Sequence, residues 1–141
     1  MSRLAAMVLA TIAMVQVPSA RADDQYTNYW GAIAYSQSTG KWGYSRHWLS
    51  EVNARRVAIK NCEADDAKVV IVVGNYWCAL ALGDDQTAYG TGYSKDADEA
   101  RKLALEECKK RSTNCKVVIC FNTRDDDRCR EASDAVFLPK S

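Results

Sequence analysis

Nucleophilic catalysis by serine or cysteine needs a base within hydrogen-bond reach of the nucleophile, and this chain contains a single histidine, His47. It lies in Lys41-Trp42-Gly43-Tyr44-Ser45-Arg46-His47-Trp48. If that stretch is extended, period-two alternation puts Trp42, Tyr44, Arg46 and Trp48 on one face and Gly43, Ser45 and His47 on the other. Such an aromatic face could be a platform for a sugar, a peptide or a partner protein. The alternative, which we favour, turns Trp42 and Tyr44 into the core and leaves Arg46 and His47 at the strand end in solvent. Acid pairs occur at Asp65-Asp66, Asp84-Asp85 and Glu106-Glu107. Glycoside hydrolysis needs two carboxyl groups facing each other across a cleft, one with a raised pKa; neighbouring acids in turns or on helix surfaces read as solvated surface instead. There is no phosphate-binding loop, dinucleotide fingerprint or histidine-based metal motif. No catalytic residue, metal or cofactor is therefore assigned from the sequence.

The other reactive side chains are Cys62, Cys78, Cys108, Cys115, Cys120 and Cys129. A zinc site is disfavoured, because no Cys-x-x-Cys pair occurs and His47 is far from the cysteine cluster. Compartment decides their chemistry. Arg3, an apolar run from Leu4 to Val17, and Ala20-Arg21-Ala22 ahead of Asp23-Asp24 form the pattern of a secretory signal peptide over residues 1–22. The run is shorter than the roughly 20 apolar residues that span a bilayer, and no second one follows, so the mature chain is expected to be soluble and not membrane-bound. Export to the bacterial periplasm or the medium exposes the cysteines to an oxidising environment, where an even number reads as disulfides. Bridged cysteines cannot act as thiolate nucleophiles. The chain has 19 Lys and Arg against 18 Asp and Glu; losing Arg3 and Arg21 with the signal leaves one net negative charge. That balance has no electrostatic footprint for nucleic acid or anionic membrane.

The elements that must hold these residues come from an internal repeat. Gly31-Ala32-Ile33-Ala34 is matched by Cys78-Ala79-Leu80-Ala81, and Gly43-Tyr44-Ser45 by Gly92-Tyr93-Ser94. Ala54, Arg55, Ala58 and Cys62 are matched by Ala100, Arg101, Ala104 and Cys108, and Lys68-Val69-Val70-Ile71 recurs as Lys116-Val117-Val118-Ile119. Each first block ends in turn chemistry, Ser38-Thr39-Gly40 or Gly83-Asp84-Asp85, and with the Gly-Tyr-Ser segment reads as a hairpin. The alanines fall at helical spacing and give a narrow face that can lie close on a sheet. Ser50 is placed to cap the first helix, and Asp96 with Glu99 resembles a capping box for the second. The Lys-Val-Val-Ile strands are apolar throughout, as strands covered on both faces are. The expected fold is α+β, two β-β-α-β repeats packed about a pseudo-two-fold axis. They form one disulfide-stapled domain over 30–123, with repeats at about 30–75 and 76–123, a polar leader over 23–29 and a tail over 124–141. Asp125-Asp126-Asp127 in that tail reads as a solvated turn, since no EF-hand spacing surrounds it.

Tyr29-Trp30-Gly31-Ala32-Ile33-Ala34-Tyr35, the Trp-Gly-Tyr-Ser strand, the helix ending in Asn61-Cys62, Lys-Val-Val-Ile, Cys78-Ala79-Leu80-Ala81 and the helix ending in Cys108 together resemble the secreted bacterial family known as domain of unknown function 4189. The resemblance runs from about Trp30 to Phe121. It implies a small, exported, cysteine-containing protein, some of whose mycobacterial relatives are proposed to act on host cells; it carries no catalytic residues. The family usually has a cysteine just before the Lys-Val-Val strand, here Cys115, whereas the first copy has Ala67. With that partner missing, Cys62 is expected to pair with Cys78. Cys115 and Cys120, five positions apart along an extended chain, are too distant to pair. The second copy then has either Cys108 with Cys115 and Cys120 with Cys129, or Cys108 with Cys120 and Cys115 with Cys129; the first is preferred because Cys108 and Cys115 flank one short loop. The expected function is that of a non-enzymatic interaction protein with a protein partner: an inhibitor, an immunity-type protein or a host-directed factor. A carbohydrate- or cell-wall-binding module is the alternative, and a small extracytoplasmic hydrolase comes third.

Overall fold

The computed structural model describes residues 27–124. The expected signal peptide over 1–22, most of the leader, and the tail beyond residue 124 with Cys129 lie outside the described residues.

Two units follow one another. The first is β1 (Trp30–Tyr35), β2 (Trp42–Trp48), α1 (Glu51–Cys62) and β3 (Lys68–Gly74); the second is β4 (Trp77–Leu82), β5 (Gly90–Ser94), α2 (Ala97–Lys109) and β6 (Lys116–Asn122). Each unit makes an antiparallel three-stranded sheet with its first strand in the middle, β2-β1-β3 and β5-β4-β6. The β-β-α-β order and the α+β class expected from the repeat are what the chain adopts. Local chemistry sets the helix ends. Ser50 Oγ accepts the Asn53 amide at 3.3 Å and the Asp96 carboxylate accepts the Asp98 amide at 3.2 Å, so both serve as N-caps. The box expected between Asp96 and Glu99 is not reciprocal, because the Asp96 amide donates to Ser94 Oγ at 3.2 Å. Glu63 closes α1 in the left-handed region, φ 54°, in the manner of an αL stop.

Strand alternation builds three apolar layers. In the first unit Ala32 and Ala34 face α1, where they meet Ala54, Ala58 and Cys62. In the second, Ala79 and Ala81 face α2, where they meet Ala100, Ala104 and Cys108. The opposite sheet faces pack on one another through Ile33 and Val73 from one unit and Cys78, Leu80, Ile119 and Phe121 from the other, giving the order helix, sheet, sheet, helix. The repeated Val-Val-Ile explains itself here. Ile33 pairs with Ile71 but Ala34 with Val69, and Leu80 pairs with Ile119 but Ala81 with Val117. Val70 and Val118 are thus extra residues of equivalent β-bulges, and each joins the following isoleucine in the inter-sheet core.

Helix contact also decides the register of the repeat. A Cβ on Gly43 would collide with the backbone of α1 at Ala58 and Cys62, and one on Gly90 with the backbone of α2 at Ala104 and Cys108. Gly43 therefore corresponds to Gly90, and Ser45, whose Oγ donates to the Ala54 carbonyl at 2.5 Å, corresponds to Gly92, which abuts the Ala100 carbonyl. The Gly-Tyr-Ser match in sequence is two residues out of this register: the position that must be small is set by where the helix backbone touches the strand.

Acid clamps close the opposite end of each unit. Asp66 accepts Ser36 Oγ at 2.5 Å and the Ser38 amide at 3.2 Å, while Asp84 accepts Asn114 Nδ2 at 2.6 Å and Thr113 Oγ1 at 3.2 Å. The two hairpin loops bind each other: Tyr35 donates its hydroxyl to the Gln86 carbonyl at 2.6 Å, Gln37 Nε2 donates to the Thr87 carbonyl at 2.7 Å, and Gln86 Nε2 donates to the Ser38 carbonyl at 2.8 Å.

Candidate functional site

The cysteines divide into bridged and free. Cys108, ending α2, is bonded to Cys115, immediately before β6, with Cα atoms 6.0 Å apart; the preferred local staple is present. Cys120 is also disulfide-bonded, and Cys129, its expected partner, lies outside the described residues. The expected Cys62–Cys78 bridge is absent: both are buried free thiols. Layering is the reason. Cys62 points from α1 into the helix–sheet layer, whereas Cys78 points from β4 into the layer between the sheets, so a sheet separates them. Burial pushes the Cys62 thiol up, with the Asp66 charge adding to it, and full burial pushes Cys78 far up. Neither is disposed to be a nucleophile at neutral pH.

His47 sits in a third bulge. Trp30 pairs with Trp48, but Ala32 pairs with Ser45, so β2 carries one extra residue, and His47 takes φ 62°. Its amide donates to the Thr123 carbonyl at 2.9 Å, its Nδ1 donates to the Arg124 carbonyl at 2.8 Å, and its ring stacks on Tyr29 at 4.4 Å. Among the described residues the partners of the ring are a backbone carbonyl and an aromatic face, not the acid and hydroxyl of a hydrolytic triad. The histidine joins the last residues of the second unit to the first.

The same bulge breaks the aromatic face expected from alternation. Trp42 and Tyr44 are half-buried against the inter-sheet core, with Tyr44 and Phe121 ring centroids 5.0 Å apart. Arg46 is half-buried beyond them. Trp48, one position past the extra residue, stands opposite Trp30 on the helix-facing side of the sheet. The four residues do not share one surface, since an added residue reverses all later side chains of a strand. The acid pairs are divided between clamping and surface: Asp66 and Asp84 hold loops, Asp85 accepts Thr87 Oγ1 at 2.7 Å, and Glu107 pairs with Lys110 at 2.7 Å. Among the described residues no group of three or more His, Cys, Asp or Glu is placed to hold a metal ion, and no helix is long and apolar enough to cross a membrane.

What the sequence reading missed is a surface corner. Leu49 and Val52 are 72% and 71% exposed, Ile59 41% and Trp48 37%. The signal lay in the repeat itself, because the second unit carries Ser94, Lys95 and Asp98 where the first has Trp48, Leu49 and Val52; at Ile59 it carries Leu105, also apolar.

The family model described as Domain of unknown function (DUF4189) matches residues 30–122, that is β1 through β6. The chain belongs to this family. No curated protein and no solved structure matches it. The DUF4189 match begins at the first strand and ends at the last, so it takes in both units and their shared core.

Proposed function

We infer that this DUF4189 protein works outside the cytoplasm as a non-enzymatic interaction protein that recognises another protein, in the manner of an inhibitor, an immunity-type protein or a host-directed secreted factor. The observation that carries the reading is the use made of the single imidazole: His47 is held by the Thr123 and Arg124 carbonyls and the Tyr29 ring, a structural occupation. Among the described residues Cys62 and Cys78 are buried free thiols and Cys108, Cys115 and Cys120 are bridged, which supports the same reading. Disulfides favour an oxidising compartment. A wall-binding module has less support, because Trp42 and Tyr44 pack against the core between the sheets.

The test is in-place cross-linking of the exported protein, identification of the cross-linked protein, and calorimetry of the two purified chains. A saturable one-to-one complex is expected, while peptidoglycan fragments leave the tryptophan fluorescence unchanged. Turnover of an ester, peptide or glycoside substrate that is lost in a His47→Ala variant of intact fold would overturn the reading.

A further inference from the structure

The two helices of this protein lie on the same scaffold and serve as controls for each other. Their caps, Ser50 and Asp96, and their buried faces, Ala54-Ala58-Cys62 and Ala100-Ala104-Cys108, correspond one to one. The outer faces do not. Where the first unit exposes Trp48, Leu49 and Val52, the second has Ser94, Lys95 and Asp98. At the fourth position Ile59 is exposed, while its counterpart Leu105 packs against the core. The scaffold therefore does not require apolar residues at the first three positions, and at the fourth it does not require that the apolar side chain be exposed. Exposed apolar side chains scattered singly need no explanation, but a contiguous group does. Val52 and Ile59, seven residues apart, lie on one helix face, and Trp48 and Leu49 extend it at the corner where β2 enters α1.

The charges differ in the same way. Arg55, Arg56 and Lys60 are exposed around the apolar group. Glu51, the one acid of α1, pairs with Arg55 at 2.9 Å. On α2 the acids Asp98, Glu99, Glu106 and Glu107 outnumber the bases Arg101, Lys102 and Lys109, and Lys60 is replaced by Glu106. One outer face is cationic and apolar, the other mixed and polar.

Resting on the protein-binding reading above, we propose that the corner formed by Trp48, Leu49, Val52 and Ile59, with Arg56 and Lys60 beside it, docks an acidic segment of a partner protein that also presents leucine or aromatic side chains. Tryptophan and arginine among apolar neighbours are the composition of protein interface centres. An anionic lipid surface calls for about four to eight clustered cations; here three are present and one is paired with an acid.

The test uses the isotope-labelled protein and a synthetic peptide built of glutamate and leucine. Amide shifts over residues 48–60 are expected, with residues 94–106 unmoved, and binding that weakens as salt is raised. Leu49→Lys combined with Val52→Asp writes the residues of the second unit into the first. It is expected to keep the circular dichroism spectrum and to weaken the peptide about tenfold or more. Replacing the peptide leucines by serine, or its glutamates by lysine, should abolish binding. Shifts spread over both helices, or affinity untouched by the double variant, overturn the proposal. So does binding confined to phosphatidylglycerol vesicles, which makes the occupant a lipid, or a dimer in sedimentation that the double variant dissolves, which makes it a second copy. A cross-linked partner whose complex forms normally with the double variant overturns this surface and leaves the protein-binding function standing. Failure to obtain any saturable complex with a purified partner strikes at that function instead.

Discussion

Cys62 and Cys78 hold their thiols in different layers of the fold, and each is shielded by the side chains of its own layer. A thiol reagent applied without reductant should find no reactive group in the native protein and two after denaturation, the two free cysteines. A bridge between them would give none in either state. Asp66 makes a second prediction at this scale. Hydrogen bonds from Ser36 and then Ser38 hold its carboxyl below the usual range, because they favour the charged form. The contribution of this clamp is complete above the pKa of the unfolded carboxyl and is lost as pH falls through the lower folded value. Asp66→Asn should be less stable at neutral pH and show a shallower loss of stability on acidification in urea titrations at successive pH values. An unchanged acid limb would show that the clamp does not couple to folding.

At the scale of elements, a helix lies on its sheet through alanine and glycine. The close approach at Gly90, where a Cβ meets the α2 backbone, leaves α2 no room unless helix or strand shifts. Gly90→Ala should therefore destabilise the protein by about 1–3 kcal/mol, the usual effect of overpacking, although alanine suits a strand better than glycine does. Gly43→Ala should do the same to α1. Urea midpoints measure both, and a neutral result at either site would mean that the helix can move away freely. The bulges belong to this scale too. Val70 and Val118 place two consecutive apolar residues on one face, and His47 turns Trp48 to the side opposite Tyr44; a one-residue insertion does what a substitution cannot.

Across the described residues, the layer between the sheets is the only one of the three apolar layers built from both units. Phe121 lies in it, fully buried, close to Tyr44 of the other unit. Phe121→Ala should cost about 3–5 kcal/mol and lower the stability of both units together. Tryptophan fluorescence and far-ultraviolet circular dichroism should keep coincident urea transitions in the wild-type protein. Two separated transitions would mean that each unit is stable without the other. The paired hairpin loops and the His47 contacts to Thr123 and Arg124 join the units at opposite ends of this layer, which favours a single cooperative domain.

Much of this architecture was legible in the residues alone. Four ordered matching blocks specify a duplicated unit, alanine at helical spacing specifies a close helix, apolar strands specify cover on both faces, and a short loop between Cys108 and Cys115 specifies a local staple. These are properties of neighbours in the chain, and period, propensity and loop length carry them. The rest depended on which face of which layer a residue reached. Cys62 and Cys78 looked like partners because both lacked one nearby, but a sheet stands between them. Trp42, Tyr44, Arg46 and Trp48 looked like one face because alternation was assumed to be unbroken, but a bulge at His47 intervenes. The register of Gly43 on Gly90 was hidden by a better letter match two residues away. Pairing, facing and exposure are relations between distant segments, so only the tertiary structure could decide them.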